Sequence, residues 1–340
     1  MECRPQAPYV DLQELADDFA RAPSIAGLAG GDIAANVALH RGDRLFVFGD
    51  SLIDTGTPDT IVRNSLLRFT DSEVCLVLGP QGSAFVPDRG DGVGYWPMSL
   101  LEIAPDGRVV IFLQRVRDTF VAGGHFETLG PSLAEVGIDG SGTPYLVRVI
   151  DIGRDNPSRE RIGWGAASWM GDDGYAYVYG TANPEDELAC GWSLHVARMP
   201  ADRVFDTGSW EYADGRGWSS RPGSAAALIE AVGGVSQTLS VFAADDTWYA
   251  VSKRDDFLGS DVVIWRSPGP AGPFDAGITV ARRPSDLDAG TLAYAALAHP
   301  TLFPRAGTMV VSVSRNTTDP AALTDDPTLY RPEFFRVPLP

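Results

Sequence analysis

Apolar and polar positions recur in one order along the chain: an apolar run, a polar turn carrying Gly or Asp, a second apolar run with a polar end, then a third. The first unit reads GGDIAANVALH, RGD, RLFVFGDS, NSLLRFT and EVCLVLG; the second reads GYWPMSLLEIA, PDG, RVVIFLQRVRD and PYLVRVIDI. The third is GWGAASWMG, DDG, YAYVYGTAN and WSLHVARMP; the fourth is VSQTLSVFA, ADD, TWYAVSKRD and DVVIWRSPG; the fifth is YAALAHPTLFP, RAG, TMVVSVSRN and EFFRVPL. The runs are short, β-branched or aromatic, and bounded by Gly, Asp and Pro, which marks strands. With Asp32, Trp96, Trp164, Gln237 and His299 as equivalent positions, the unit recurs every 62–73 residues. Five such units predict an all-β fold, a five-bladed β-propeller. Only residues 11–22 (DLQELADDFARA) read as a helix, with Leu12, Leu15 and Phe19 on one side. The last unit shows no fourth strand. Residues 1–30 are therefore expected to supply one and close the ring, and residues 31–340 to form a single propeller domain.

Composition narrows the function. Glycine (37) and proline (25) are abundant among the 340 residues, as many short turns require. A net charge of −18 opposes nucleic-acid phosphates and anionic membrane surfaces, whereas a neutral sugar or small ester is compatible. No apolar run approaches the ~20 residues that span a bilayer, so no membrane insertion is expected. The start shows no basic stretch followed by an apolar one. The chain is thus either cytoplasmic or a trimmed secreted or cell-envelope form. Cys3, Cys75 and Cys190 give no disulfide framework and read as isolated thiols. His40, His125, His195 and His299 are too dispersed for a metal signature, and no cofactor motif is present. Glu185, Asp186 and Glu187 read as a solvated acidic loop.

Two aspartates stand out. The first hairpin turns near Arg41-Gly42, which sets Asp32 nearly opposite Asp50 at the far end of the pair. Opposed side chains have Cβ atoms ~5 Å apart. Two carboxylates that close do not both ionise readily, which suits a general acid beside a base. Either residue alone would serve equally as a turn cap or a solvated loop residue. The other units place polar and aromatic side chains at equivalent ends: Trp96, Gln114 and Arg115, Trp164, Lys253, His299, Arg315 and Asn316. Gathered around one mouth, they suit stacking on sugar rings and bonding to hydroxyls.

The string FVFGDSLIDTG, Phe46 to Gly56, also resembles the first block of GDSL-type serine esterases, with Ser51 as nucleophile and His299 as base. Against it, no GxND segment exists, Ala296 stands where an aspartate is expected, and helices do not alternate with strands. A non-catalytic glycan-binding propeller is the other alternative.

Over roughly residues 31–339 the chain resembles the DUF4185-type five-bladed propellers, which include the endo-D-arabinanases of glycoside hydrolase family 183. The strings that carry this are GGDIAANVAL with RLFVFGDS, NSLLR, YWPMS with VVIFLQRVR, GWGAASW with YAYVYGT, LHVARMP, YAVSKRDDFLGSDVVIWRSPGPAGPF, LAHPTLF with VVSVSRN, and LYRPEFFRV. The resemblance implies hydrolysis of α-D-arabinofuranosidic bonds in cell-wall arabinan, with inversion, by a first-blade aspartate pair that Asp32 and Asp50 match. Ser51 departs from the threonine common there. We expect Asp32 as base and Asp50 as acid. Inverting pairs stand ~6.5–9.5 Å apart and retaining pairs ~5–5.5 Å, so direct opposition is tight for inversion.

Overall fold

The computed structural model describes residues 1–54, 60–103, 107–119, 126–184 and 189–340. His125 and the acidic run Glu185, Asp186 and Glu187 lie outside them.

Five antiparallel sheets surround one axis. After β1 (Glu2–Pro5) and the helix α1 (Leu12–Arg21), the first blade runs outward through β2 (Leu28–Ala38) and β3 (Arg44–Ile53). A short β4 (Thr60–Val62) pairs with the end of β3; β5 (Ser65–Phe69) and β6 (Glu73–Val77) complete the blade. The second blade is β7 (Gly94–Ile103), β8 (Arg108–Asp118), β9 (Phe126–Ile138) and β10 (Pro144–Asp151). The third is β11 (Gly163–Met170), β12 (Tyr175–Ala182), β13 (Ser193–Pro200), β14 (Glu211–Ala213) and β15 (Trp218–Ser219). The fourth is β16 (Ser240–Ala244), β17 (Thr247–Lys253), β18 (Asp261–Ser267) and β19 (Ile278–Arg282). The fifth is β20 (Thr291–Ala298), β21 (Thr308–Thr317) and β22 (Glu333–Pro338). The innermost strands touch in a closed cycle, β2 to β7, β11, β16, β20 and back to β2. The chain is a five-bladed β-propeller.

Closure differs from expectation in its means. The N-terminal strand β1 adds to the outer edge of the first blade, against β6, and the last blade keeps three strands among the described residues. The helix bridges the seam instead. Asp11 caps it by accepting the Glu14 N–H at 3.0 Å, and Leu15 and Phe19 are its buried face. Phe19 meets Phe48 of the first blade and Phe334 of the last, with ring centroids 6.4 and 4.9 Å away. Arg331, buried on the last blade, donates to the carbonyls of Phe19, Ala22, Pro23 and Ala29 at 2.6–3.0 Å. A guanidinium has five donors in a fixed fork, so one side chain can satisfy several carbonyls left free where a helix ends.

The cysteine reading also needs correction. Cys3 and Cys75 form a disulfide across β1 and β6, and Cys190 alone is free. Their separation of 72 residues hid a pairing that only the edge-strand register creates.

Candidate active site

Every blade presents the same end of its inner hairpin, opposite the tight turn, to one mouth. There the inner strands β2, β7, β11 and β20 each carry a bulge, which re-aims side chains. In the first blade the register passes from Gly31↔Ser51 to Ile33↔Phe48, so Asp32 faces both Gly49 and Asp50. Ile33 and Ala34 follow with φ of 71° and 58°. Two consecutive non-glycine residues in that region are strained, a β-branched one most of all. Bonds across the seam hold them: the Ile33 N–H donates to Ser314 Oγ at 2.9 Å, and the Gly31 N–H to the Tyr330 carbonyl at 2.6 Å.

The carboxylate of Asp32 lies over Gly49, where an added Cβ would meet Asp32 Oδ1 at 2.3 Å. The hydroxyl of Tyr294 donates to Asp32 Oδ2 at 2.7 Å, and that of Tyr330 turns to it as well. Asn316 in turn bonds to the Tyr294 hydroxyl. Burial, opposed by Tyr294 and reinforced by the nearby Asp50 charge, pushes the Asp32 carboxyl up to about 7. Asp50 accepts the indole N–H of Trp96 at 2.8 Å. Burial raises its carboxyl to about 6, against the pull of Trp96 and Arg63. Arg63 itself is shared with Asp88 (3.4 Å) and Asp118 (2.5 Å). Both aspartates remain partly exposed, as does Trp96, which packs edge-on to exposed Phe126 at 4.4 Å. A recess of about 30 Å³ opens among the second, third and fourth blades, with Gln114, Arg159, Arg161, Trp192 and Gln237 in its walls.

A family described as a domain of unknown function, DUF5005, matches residues 17–338. The chain belongs to that family. This match does not give the DUF4185-type assignment expected from the sequence; the five-bladed fold expected with it is the one the structure shows. No curated protein matches this DUF5005 chain. Among solved structures, a candidate hydrolase from Bacteroides ovatus ATCC 8483 superposes with a TM-score of 0.70 at 20% identity, over 98% of this chain and 93% of that one. Inulosucrase from Halalkalicoccus jeotgali, bound to kestose, gives 0.55 at 15% identity, over 89% and 82%. A candidate exo-β-1,3-galactanase from Bifidobacterium bifidum s17 gives 0.52 at 10% identity, over 90% and 87%. At these identities the likeness is one of fold.

Of the ten expected site residues, this DUF5005 propeller gathers Asp32, Asp50, Trp96, Gln114, Arg315 and Asn316 at the mouth. Arg315 supports the site from below, donating to the carbonyls of Thr328 and Arg331 at 3.2 and 3.3 Å, on either side of Tyr330. The other four stand differently. Arg115 is fully buried, spends its N–H groups on the carbonyls of Leu129, Pro131, Ile152 and Gly153, and pairs with Asp155 at 2.9 Å. Trp164 is a core side chain packed against Tyr212. Lys253 is fully buried with Nζ on the Ala293 carbonyl, and burial lowers its ammonium to about 8. His299 lies at the far end of the inner sheet, because β20 begins at Thr291 and its mouth end is Tyr294. Arg44 orients Asn36 (2.6 Å), whose amide meets His299 Nδ1; Nε2 then donates to Ser312 at 2.8 Å. Burial and Arg44 push this imidazole down to about 3, so it is neutral. The esterase alternative fails on the same facts. The Ser51 hydroxyl is buried and occupied by the Gly49 carbonyl and Ser65, with His299 far along the sheet.

Sequence reasoning missed Tyr294, Tyr330 and Phe126. Tyr294 was findable: it is the aromatic two residues before Ala296 in YAALAH, where the fifth unit's hairpin should have been set by its partner Ser314.

Proposed function

We propose that this protein is a glycoside hydrolase and that Asp32 and Asp50 are its acid–base pair. The observation that carries the reading is the pair itself: the carboxyls of two half-buried aspartates at one mouth, both raised towards neutrality by burial. Coupled groups titrate as a unit, so between about pH 6 and 7 the pair holds one proton. That leaves one carboxylic acid to protonate the leaving oxygen and one carboxylate to activate water or attack the sugar. We take Asp32 as acid and Asp50 as base, the reverse of the sequence expectation, and the leaving-group test below decides between the two assignments. Trp96 and Phe126 offer faces on which a sugar ring can stack, and the fold is shared with proteins that act on sugars. Arabinan with α-D-arabinofuranosidic linkages is the first substrate to test, because the sequence resemblance implies it.

The test is release of oligosaccharides from D-arabinan and from a panel of neutral glycans by wild type, Asp32→Asn and Asp50→Asn. Both variants should lose at least ~100-fold in rate. An aryl glycoside with a good leaving group needs no acid, so it should rescue Asp32→Asn and not Asp50→Asn. Undiminished turnover in either variant removes that residue from the mechanism.

A further inference from the structure

Asp32 and Asp50 have unlike neighbours. Asp32 meets the hydroxyls of Tyr294 and Tyr330; Asp50 meets the Trp96 indole and a cation, Arg63. The fold of the first blade sets Arg63 there. Ser51 pairs with Val62 on β4, and Phe48 with Ser65 on β5. Both pairs belong to one register, which puts Arg63 opposite Asp50 in the gap between the two short strands. Buried Asn64 pins that gap. It donates to the carbonyls of Val86 and Tyr95 at 3.0 and 2.9 Å and accepts the Val86 N–H at 2.7 Å. The arm of Arg63 then crosses Gly94, where a Cβ would collide with its Cδ and Nε. Its nitrogens end on Asp118 at 2.5 Å and Asp88 at 3.4 Å. Among the described residues no bond joins Arg63 to Asp50. The guanidinium thus stands beside Asp50 without occupying its oxygens. A direct arginine–carboxylate bond would consume the lone pairs a base needs. From an offset position the cation favours ionised Asp50 through space and leaves an oxygen open to water.

We propose, building on the hydrolase reading, that Arg63 is a positioning residue that keeps Asp50 the charged member of the pair and leaves the proton on Asp32. Each aspartate has hydrogen-bond donors that favour its ionised form; Asp50 adds a cation. The charged and titratable groups that face Asp50 are Asp32 from β2, Arg63, Asp88 from the loop before β7, Asp118 at the end of β8, and Tyr294 and Tyr330 of the last blade. Burial holds both tyrosines neutral. Asp88 and Asp118 oppose ionisation of Asp50 and at the same time anchor the arginine that favours it. The balance of this trio on Asp50 therefore fixes which carboxyl gives up its proton first.

Carboxyl-carbon NMR titration of protein with isotope-labelled aspartates tests this, with Asp32→Asn and Asp50→Asn to assign the two signals. In wild type the lower step of the pair should appear mainly in the Asp50 signal. Arg63→Gln should raise the Asp50 step by about 1 pH unit, and Arg63→Lys, which keeps the charge, by less than ~0.3. Asp88→Asn and Asp118→Asn remove opposing charges and should each lower it by ~0.3–0.5. General loosening of the mouth would not move the step in opposite directions. The acidic limb of kcat/KM on any glycan cleaved should follow the Asp50 step. A lower step seated in the Asp32 signal, an Asp50 step moved less than ~0.3 unit by Arg63→Gln, or equal shifts in the Gln and Lys variants overturns the assignment. The titration needs no substrate. The expected shifts without cleavage of any glycan uphold the role of Arg63 and remove the hydrolase reading; cleavage with an unmoved Asp50 step does the reverse.

Discussion

Gly49 gives the sharpest test of how Asp32 is held. An alanine methyl there would stand 2.3 Å from Asp32 Oδ1 and 3.4 Å from its Cγ, with nothing else nearer than Ile33 at 3.7 Å. Carbon and oxygen normally keep ~3.4 Å apart, so the carboxylate must retreat by about 1 Å. Gly49 does not use the left-handed backbone region, so alanine is conformationally acceptable and the contact alone is tested. Retreat is opposed by Tyr294, which grips the other oxygen at 2.7 Å. A displacement of about 1 Å at a reacting group costs ~100-fold in rate. Overpacking adds a stability loss of about 1–3 kcal/mol. Gly49→Ala should therefore lower kcat/KM about 100-fold and reduce the urea midpoint measurably. In an Asp32→Ala background the methyl meets no carboxylate, so the stability loss should vanish. Activity within threefold of wild type, or an equal stability loss in both backgrounds, would refute the placement.

Activity should follow a bell, rising through about pH 6 as one carboxyl ionises and falling through about 7 as the other loses its proton. Tyr294→Phe removes a bond that stabilises ionised Asp32, so the falling limb should move to higher pH in initial-rate profiles; an unmoved limb detaches Tyr294 from the titrating group. Asp32→Asn should stabilise the protein at neutral pH. Between about pH 4 and 7 the unfolded chain ionises Asp32 while the folded chain keeps it protonated, so wild-type stability falls across that window and is level above it. The Tm difference, variant minus wild type, should grow from pH 4 to 7; a flat difference contradicts the burial. Cys75→Ser opens a cross-link between residues 72 apart and should cost about 4 kcal/mol, read from the urea midpoint, while the mouth keeps its aspartates.

The ring was legible because hairpin alternation is local: each turn fixes its own register, and five repeats reveal themselves by spacing. The Asp32–Asp50 pair was legible for the same reason, to within the one residue by which the bulge at Ile33 shifts it. Side chains at strand ends were harder. Arg115 follows Gln114 on β8 and Lys253 ends β17, but both turn into the packing between elements, where carbonyls consume their donors. No local pattern distinguishes these outcomes. His299 misleads because taking it as the fifth unit's equivalent of Asp32 overlooks the strand pairing that puts Tyr294 at the mouth. Tyr330 is 298 positions from Asp32 in the numbering, and only ring closure brings them together. Seam contacts of this kind leave no trace in a periodic pattern.

The strained turn at Ile33–Ala34 is held by Ser314 and Tyr330, residues of the last blade acting on the first. The ring's join and its chemistry therefore share one place. Warming that loosens the join would free Asp32 before any sheet melts, so heat inactivation should run ahead of the loss of strand signal in circular dichroism. A ligand lodged at the mouth would draw the two curves together by bracing the join from within.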